Sequence, residues 1–169
     1  MINNKILARL KQIEHYDELV LELFLSNQKL LKLINYTDND PLSKADLKEK
    51  DLLNLTENNF FDAPITPTQD LQKTIICYYF DNFELNITNN FYKNSFLVID
   101  IFMYNKLIKI SNGNRMYKIM NQIDSLLSDN RNFGIGQLNL TNANWIHYYP
   151  KNNINFVHFK FAYKIIDEH

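Results

Sequence analysis

Residues 154–166 read INFVHFKFAYKII, and this stretch decides the fold class of the chain. Its large apolar side chains occupy every second position and alternate with His158, Lys160 and Lys164. Successive side chains of a strand point to opposite faces of a sheet, so the alternation predicts a strand with one buried face and one polar face. We expect Phe159 and Phe161 to lie on the buried face, against an amphipathic helix.

Three other stretches carry strand patterns. Residues 73–80 (KTIICYYF) and 95–104 (SFLVIDIFMY) are rich in β-branched and aromatic residues on both alternating faces, as buried central strands are. We expect these two to pair as a hairpin. Residues 137–149 predict a further strand with a polar interruption at 141–144, and residues 150–153 (PKNN) predict the turn that leads to the last strand.

Helical periodicity occupies the N-terminal part of the chain and one later segment. Apolar positions recur at spacings of three and four from residue 4 to residue 35, and Ser43 to Asp46 resemble the start of a short helix. A later apolar stripe predicts an amphipathic helix over residues 115–128. The predicted class is α+β: N-terminal helices followed by a ββαββ core, with a mainly antiparallel sheet packed on one amphipathic helix.

A chain of 169 residues predicts one domain, here over residues 1–169. Residues 1–55 are its helical part, residues 56–71 a proline-containing connection, and residues 72–169 the ββαββ core. The connection lacks the Gly and Ser content of a flexible tether, and each of its two prolines restricts the preceding residue to extended geometry. We therefore expect the connection to be ordered.

Composition excludes several classes of function. Eighteen Lys and Arg residues against nineteen Asp and Glu give a formal charge of −1, so no overall positive field draws the protein onto DNA or an anionic membrane. Residues 96–104, the longest apolar stretch, are interrupted by Asp100 and fall short of the ~18 residues that a spanning helix needs. Charges at Lys5, Arg9 and Lys11 argue against a signal peptide, so we expect no membrane contact.

Motifs for metals, cofactors and nucleophiles are absent from the sequence. Zinc ligands need helix or turn spacing, whereas the four histidines are separated from one another and from Cys77, which has the context of a small core residue. His147 and His158 fall on adjacent predicted strands, where we expect two solvent-side histidines. Neither a Gly-rich nucleotide loop nor a Walker motif occurs. We expect no catalytic residue, no bound cofactor and no metal.

Asp100 is the one carboxylate inside an apolar strand pattern. An unpaired buried charge is costly, so this side chain needs either a partner or access to solvent. We expect an exposed position or a salt bridge with Lys118 or Arg115. A catalytic interpretation would need a second acid, for which Asp81 and Asp124 are the candidates.

Residues 81–94, DNFELNITNNFYKN, connect the first two predicted strands. Connections of this length inside a compact domain are uncommon and usually functional. This one is polar, yet it carries more apolar surface than a solvent-exposed loop tip needs. We interpret five side chains as subunit-interface candidates in an extended arm, with folding back onto the chain's own core as the alternative: Phe83, Leu85, Ile87, Phe91 and Tyr92.

Residues 95–140, followed by a final hairpin that ends VHFKFAYKII, resemble the tail-terminator and related head–tail connector (neck) proteins of tailed bacteriophages. The features that carry the resemblance are a turn leading into Arg115, the helix after it, and the Gly-Ile-Gly turn at 134–136 before the next strand. The resemblance covers roughly residues 72–166, and DPLSKADL at 40–47 is similar to the same proteins.

The resemblance implies a structural virion protein without enzymatic activity. Copies of such proteins assemble as a ring, often a hexamer, on the tail tube and contact the head connector and other tail and neck proteins. The implied location is the head–tail junction of the virion, after assembly in the host cytoplasm, and DNA passes through the ring without specific recognition. The alternative is a small cytoplasmic regulatory or protein-interaction domain, also non-enzymatic, and a nuclease-like enzyme comes third.

Overall fold

The computed structural model describes residues 15–67, 71–81, 84–85, 92–93, 95–128, 137–147 and 155–166. A helix over residues 15–26 (α1) precedes three more helices: α2 (Gln28–Asn35), α3 (Glu49–Asn58) and α4 (Arg115–Ser128). The strands are β1 (Phe60–Phe61), β2 (Thr74–Asp81), β3 (Glu84–Leu85), β4 (Tyr92–Lys93), β5 (Phe96–Tyr104), β6 (Lys109–Ile110), β7 (Gly113–Asn114), β8 (Gln137–His147) and β9 (Phe156–Ile166). Short 3-10 turns occur at Pro41–Ser43 and Asn105–Leu107.

Five strands form one sheet in the order β1-β2-β5-β9-β8. β1 is parallel to β2, and every other neighbouring pair is antiparallel. The α+β class and the mainly antiparallel sheet are therefore confirmed. β1 lies in the segment expected to be a connection. The sequence did not indicate this strand, because a pairing of Phe60 with Ile76 and Phe61 with Cys77 is too short to leave an alternating pattern.

Strong local patterns located their elements well. The predicted hairpin is the β2–β5 pair, in which Ile76 lies opposite Ile101, and the predicted helix 115–128 is α4. The polar run in β8 does not interrupt the strand. It is accommodated by shifts of register between Leu140 and Asn142 and again near the strand's end, as β-bulges allow.

The start of α3 differs from the prediction at Ser43–Asp46. Ser43 ends a 3-10 turn, and α3 begins only at Glu49. The Asp51 side chain accepts a hydrogen bond of 3.0 Å from the Lys48 backbone N–H, which caps the helix there. A carboxylate three residues after the cap satisfies this N–H, and the earlier serine has no comparable role.

The main core lies on one face of the sheet. Phe159 and Phe161 of β9 belong to the same buried cluster as Ile119 and Ile123 of α4, which confirms the predicted strand register. Helices α1 and α2 join α4 in this cluster through a further set of fully buried side chains: Val20, Phe24, Leu30 and Leu31. Three helices therefore share the face for which the sequence indicated one.

A smaller apolar cluster covers one end of the opposite face. It comprises Leu71, Ile75, Cys77, Phe102 and Phe156, with Phe61 and Ile65 packed against it. The predicted core position of Cys77 is confirmed, since the side chain is fully buried. Burial raises the pKa of its thiol to about 11, which keeps the sulfur protonated at neutral pH.

Candidate functional site

The segment predicted to be an arm contains a short two-stranded ribbon, formed by β3 and β4. In this ribbon Glu84 lies opposite Lys93, and Leu85 lies opposite Tyr92. The ribbon thus brings two of the five interface candidates together as backbone partners. The other three candidates lie outside the described residues: Phe83, Ile87 and Phe91.

The ribbon continues the register of the β2–β5 hairpin. The last pair of that hairpin is Asp81 opposite Phe96, and the pair three residues further along each strand is Glu84 opposite Lys93. The last β5–β9 register pair is Phe96 opposite Lys164, and the Ile165 N–H also donates to the Ser95 oxygen at 3.0 Å. The ribbon is a separate two-stranded sheet in the same register as the hairpin, and no third strand among the described residues pairs with it.

β8 forms the edge of the sheet that lies farthest from β1. It pairs with β9 on one side, and within the described ranges no strand pairs with its other side. Gln137–His147 contains no Asp, Glu, Lys or Arg, and residues 139–144 are all exposed. Two large apolar side chains of this strand, Leu140 and Ile146, are 45% and 47% exposed. Edge strands are commonly protected by charges or proline, so β8 is an unusually accessible edge.

A polar cluster around Asp100 lies on the sheet face opposite the helices. Asp100 is only 5% exposed. Its Oδ1 lies 2.5 Å from Nε2 of His158, and its Oδ2 accepts a hydrogen bond of 2.8 Å from the Tyr79 hydroxyl. Lys160 Nζ donates to the same hydroxyl at 3.0 Å and lies 3.7 Å from Oδ2 of Asp100.

The electrostatics of this cluster favour the ionised carboxylate. Burial raises the pKa of Asp100, but the hydrogen bonds from His158 and Tyr79, with the charge of Lys160, outweigh it and hold the pKa below its ordinary value. Both carboxylate oxygens are paired, as a buried charge requires. The arrangement neutralises a charge inside the sheet.

The prediction that Asp100 needs a partner was correct, but the partners predicted for it were wrong. Lys118 and Arg115 belong to α4, which packs on the other face of the sheet. Asp100 lies between Ile99 and Ile101, both of which point into the helix-covered core, so its own side chain points away from α4.

Of the two acids considered as catalytic companions of Asp100, Asp81 acts on the cluster through its charge on Lys160, and Asp124 lies elsewhere. Asp124 accepts a hydrogen bond of 2.9 Å from the Tyr163 hydroxyl, on the helix side of the sheet. Asp81 is exposed at the end of β2. Among the residues that the structure describes, no three His, Cys, Asp or Glu side chains are grouped so that they could hold a metal ion.

The expectation of two solvent-side histidines is wrong for His158. Its side chain is 15% exposed and stacks on Phe102, with ring centroids 4.1 Å apart. His147 is its backbone partner across the β8–β9 pair. The sequence placed the two residues on adjacent strands, but the contact with Asp100 depends on the β5–β9 register.

Tyr79 and Lys160 are members of the cluster that sequence reasoning missed. Lys160 lies directly opposite Asp100 in the β5–β9 pair. The available signal was the acid Asp100 in β5 and the base Lys160 in β9. Opposite charges at facing positions stabilise a sheet, so these two residues could have been predicted to pair. Using this signal would have required the strand order, which periodicity does not reveal.

An open cleft of about 540 Å³ lies beside the end of β2. Three carboxylates line it: Asp17 from α1, Asp62, and Asp81. Oδ1 of Asp17 is buried, and no group among the described residues hydrogen-bonds to it. Burial, with a smaller contribution from the charge of Asp62, raises the pKa of Asp17 to about 6.

We expect Asp17→Asn to stabilise the protein at about pH 7.5 and to have little effect at about pH 4. The unfolded pKa is near ~3.9, so the stability linked to the raised pKa is complete below that value and is lost as the pH rises through about 6. Because Asp17 is only partly buried, we discount the shift for solvent screening and expect a gain of about 1–2 kcal/mol.

Chemical denaturation at both pH values measures this gain. Asp40→Asn is the matched control, because Asp40 is exposed and makes no helix-capping hydrogen bond through its side chain. Equal stabilisation by Asp17→Asn at both pH values would contradict the assignment of a raised pKa.

The comparison with known protein families identifies one match. A family model described as YomW matches residues 27–165, a range that contains α2, the ribbon, β8 and nearly all of β9. No curated protein matches the chain. Over the described part of the chain, no helix is long and apolar enough to cross a membrane.

Proposed function

The chain belongs to the YomW family, whose name comes from Bacillus phages of the SPbeta type, and on this premise we propose that it is a structural virion protein of a tailed phage. Its copies assemble as a ring, a hexamer in the proteins that it resembles, at the head–tail junction. That the chain is phage-related follows from the family itself.

The observation that supports the ring is the continuous register of the ribbon with the β2–β5 hairpin. A ring is closed by heterologous contacts, in which one surface of a copy meets a different surface of the next copy. The β3–β4 ribbon supplies one such surface, and the accessible edge at β8 supplies a different one. Contact between copies would cover an edge that otherwise invites non-specific pairing.

The proposed partners are other copies of the chain and the neighbouring tail and neck proteins of the virion. A formal charge of −1 suits a ring through which DNA passes, because many clustered Lys and Arg residues would bind its phosphates. The role is non-enzymatic and needs no cofactor. Assembly takes place in the host cytoplasm.

Replacement of Phe83, Ile87 and Phe91 by serine tests this function. We expect the triple variant to melt close to the parent temperature while losing its rings, because the arm would contribute to the contact between copies and little to each copy's own core. Sedimentation gives the assembly mass, and negative-stain imaging shows whether rings are present.

A triple variant in which Asn86, Asn89 and Asn90 become serine is the matched control, and it should assemble like the parent. Normal rings from the variant that lacks Phe83, Ile87 and Phe91, or its outright unfolding, would show that the inter-subunit arm is wrong. A parent protein that stays monomeric at every concentration would instead favour the small regulatory or protein-interaction domain.

A further inference from the structure

We infer that the free edge of β8 accepts the ribbon of a neighbouring copy, which adds to the sheet as a further strand. The inference rests on the proposed ring, because it identifies the two surfaces that meet between neighbouring copies. The occupant of the β8 edge is a second copy of this chain. The contact consists of backbone hydrogen bonds, supported by apolar contact.

The receiving surface is the outer side of β8. Backbone N–H and C=O groups at a free sheet edge are the groups that an added strand binds. Two stretches of β8, residues 137–140 and 142–145, keep a regular register with β9 on either side of a bulge. They can therefore pair with an incoming strand, which would also cover part of the exposed Leu140 and Ile146.

The donated surface is the ribbon. An isolated two-stranded ribbon is marginally stable in water, and a third strand adds stability. Among the described residues the ribbon pairs with no third strand. Within the described residues the β8 edge has no neighbouring strand and the ribbon has no third strand, so one contact would supply both.

The chain's own ribbon is not the natural occupant of its own β8. β9 lies between β5 and β8 in the sheet, which separates the ribbon from that edge by two strand spacings of about 4.8 Å each. The ribbon also continues β2 and β5 beyond the last β5–β9 pair, at Phe96 and Lys164.

Charge is compatible with pairing of the ribbon and β8. Glu84 lies opposite Lys93, so the ribbon brings no net charge to an edge that has none of its own. Pairing of β8 with a second β8 would use one surface twice, which gives a closed dimer and leaves each ribbon without a third strand. The ribbon–β8 contact uses both surfaces and can continue from copy to copy.

Disulfide trapping tests the contact. Cys77, the one cysteine of the chain, is fully buried, so a cross-link between native-state copies reports on introduced cysteines. Glu84→Cys is mixed in turn with Asn139→Cys, Asn142→Cys or Asn144→Cys, all at exposed β8 positions, under mild oxidation. A disulfide requires the two Cα atoms to come within about 7 Å of each other.

We expect a covalent dimer in at least one mixture and in none of the single variants alone. The matched control is Ser125→Cys, at an exposed position of α4, which should give no dimer with Glu84→Cys. Non-reducing electrophoresis of each sample gives the result directly. Circular dichroism confirms that every variant is folded before it is mixed.

Two outcomes would overturn the inference. A dimer from a β8 variant alone would show that β8 pairs with β8. Rings in the microscope without a mixed dimer at any of the three positions would show that neighbours meet elsewhere, and the proposed function would survive. Absence of rings from the parent protein would refute the proposed function itself, and with it this contact.

Discussion

Replacing Arg115 by methionine is expected to lower the free energy of unfolding by about 3–5 kcal/mol. The Arg115 side chain is 1% exposed. Its guanidinium donates to the backbone oxygens of Leu33, at 3.0 Å, and of Tyr36 and Asp38. These oxygens lie at and just after the end of α2, where helix geometry leaves carbonyls without donors.

Methionine keeps much of the aliphatic volume of Arg115 but donates no hydrogen bond. A buried acceptor left unsatisfied costs about 1–3 kcal/mol, as for the Leu33 oxygen, and the part-buried oxygens of Tyr36 and Asp38 add less each. Lys118→Met is the control, because Lys118 lies on the same helix and is only partly buried. Chemical denaturation measures both variants, and equal midpoints for the two would refute the proposed role of the guanidinium.

Phe159→Ala is expected to destabilise the protein by about 3–5 kcal/mol, through lost burial and the cavity left behind. Phe159 is 4% exposed and packs edge-on against Trp145, with ring centroids 5.0 Å apart, as well as against Phe161. It lies in the cluster that joins the sheet to α4. Thermal and chemical unfolding of the variant and the parent give the difference.

Lys164→Ala is the matched control for Phe159→Ala, since Lys164 lies on the same strand and points to the opposite face. We expect it to change stability by less than about 0.5 kcal/mol. Lys160 is less suitable, because it takes part in the Asp100 cluster. A stable Phe159→Ala protein beside a destabilised Lys164→Ala protein would mean that the strand register is shifted by one residue.

Local periodicity explains which parts of the fold could be predicted. The alternation in residues 154–166 placed Phe159 and Phe161 in the core, and the apolar stripe of 115–128 gave α4 with both of its ends. Both patterns repeat over several turns or pleats, so each residue confirms the assignment of the next. β1 was not predicted, because two residues at Phe60–Phe61 are too few to form a repeating pattern.

Contacts between distant residues explain what the sequence could not supply. Arg115 was considered as a partner for Asp100, yet it donates to carbonyls about 80 positions earlier in the chain. A backbone carbonyl leaves no trace in the residue types, so no pattern could have indicated it. The cluster around Asp100 likewise needs the order of β2, β5 and β9, which is set by packing across the whole sheet.

The ribbon lies between these two cases. Its apolar content was visible in the sequence, and the length of the connection indicated a functional segment. That its strands continue the β2–β5 register follows only from the pairing of Glu84 with Lys93. The apolar side chains of the segment could be named in advance, whereas the pairing of its strands could not.

Trp145 gives the β8 edge an optical property of its own. It is the single tryptophan of the chain, and its ring lies between Tyr117 of α4, at 6.0 Å, and Phe159, at 5.0 Å. The ring is partly buried, so its emission depends on how much water reaches this edge of the sheet. The protein therefore carries a native fluorophore within the strand at which neighbouring copies would meet, and events at that edge can be followed in unlabelled protein.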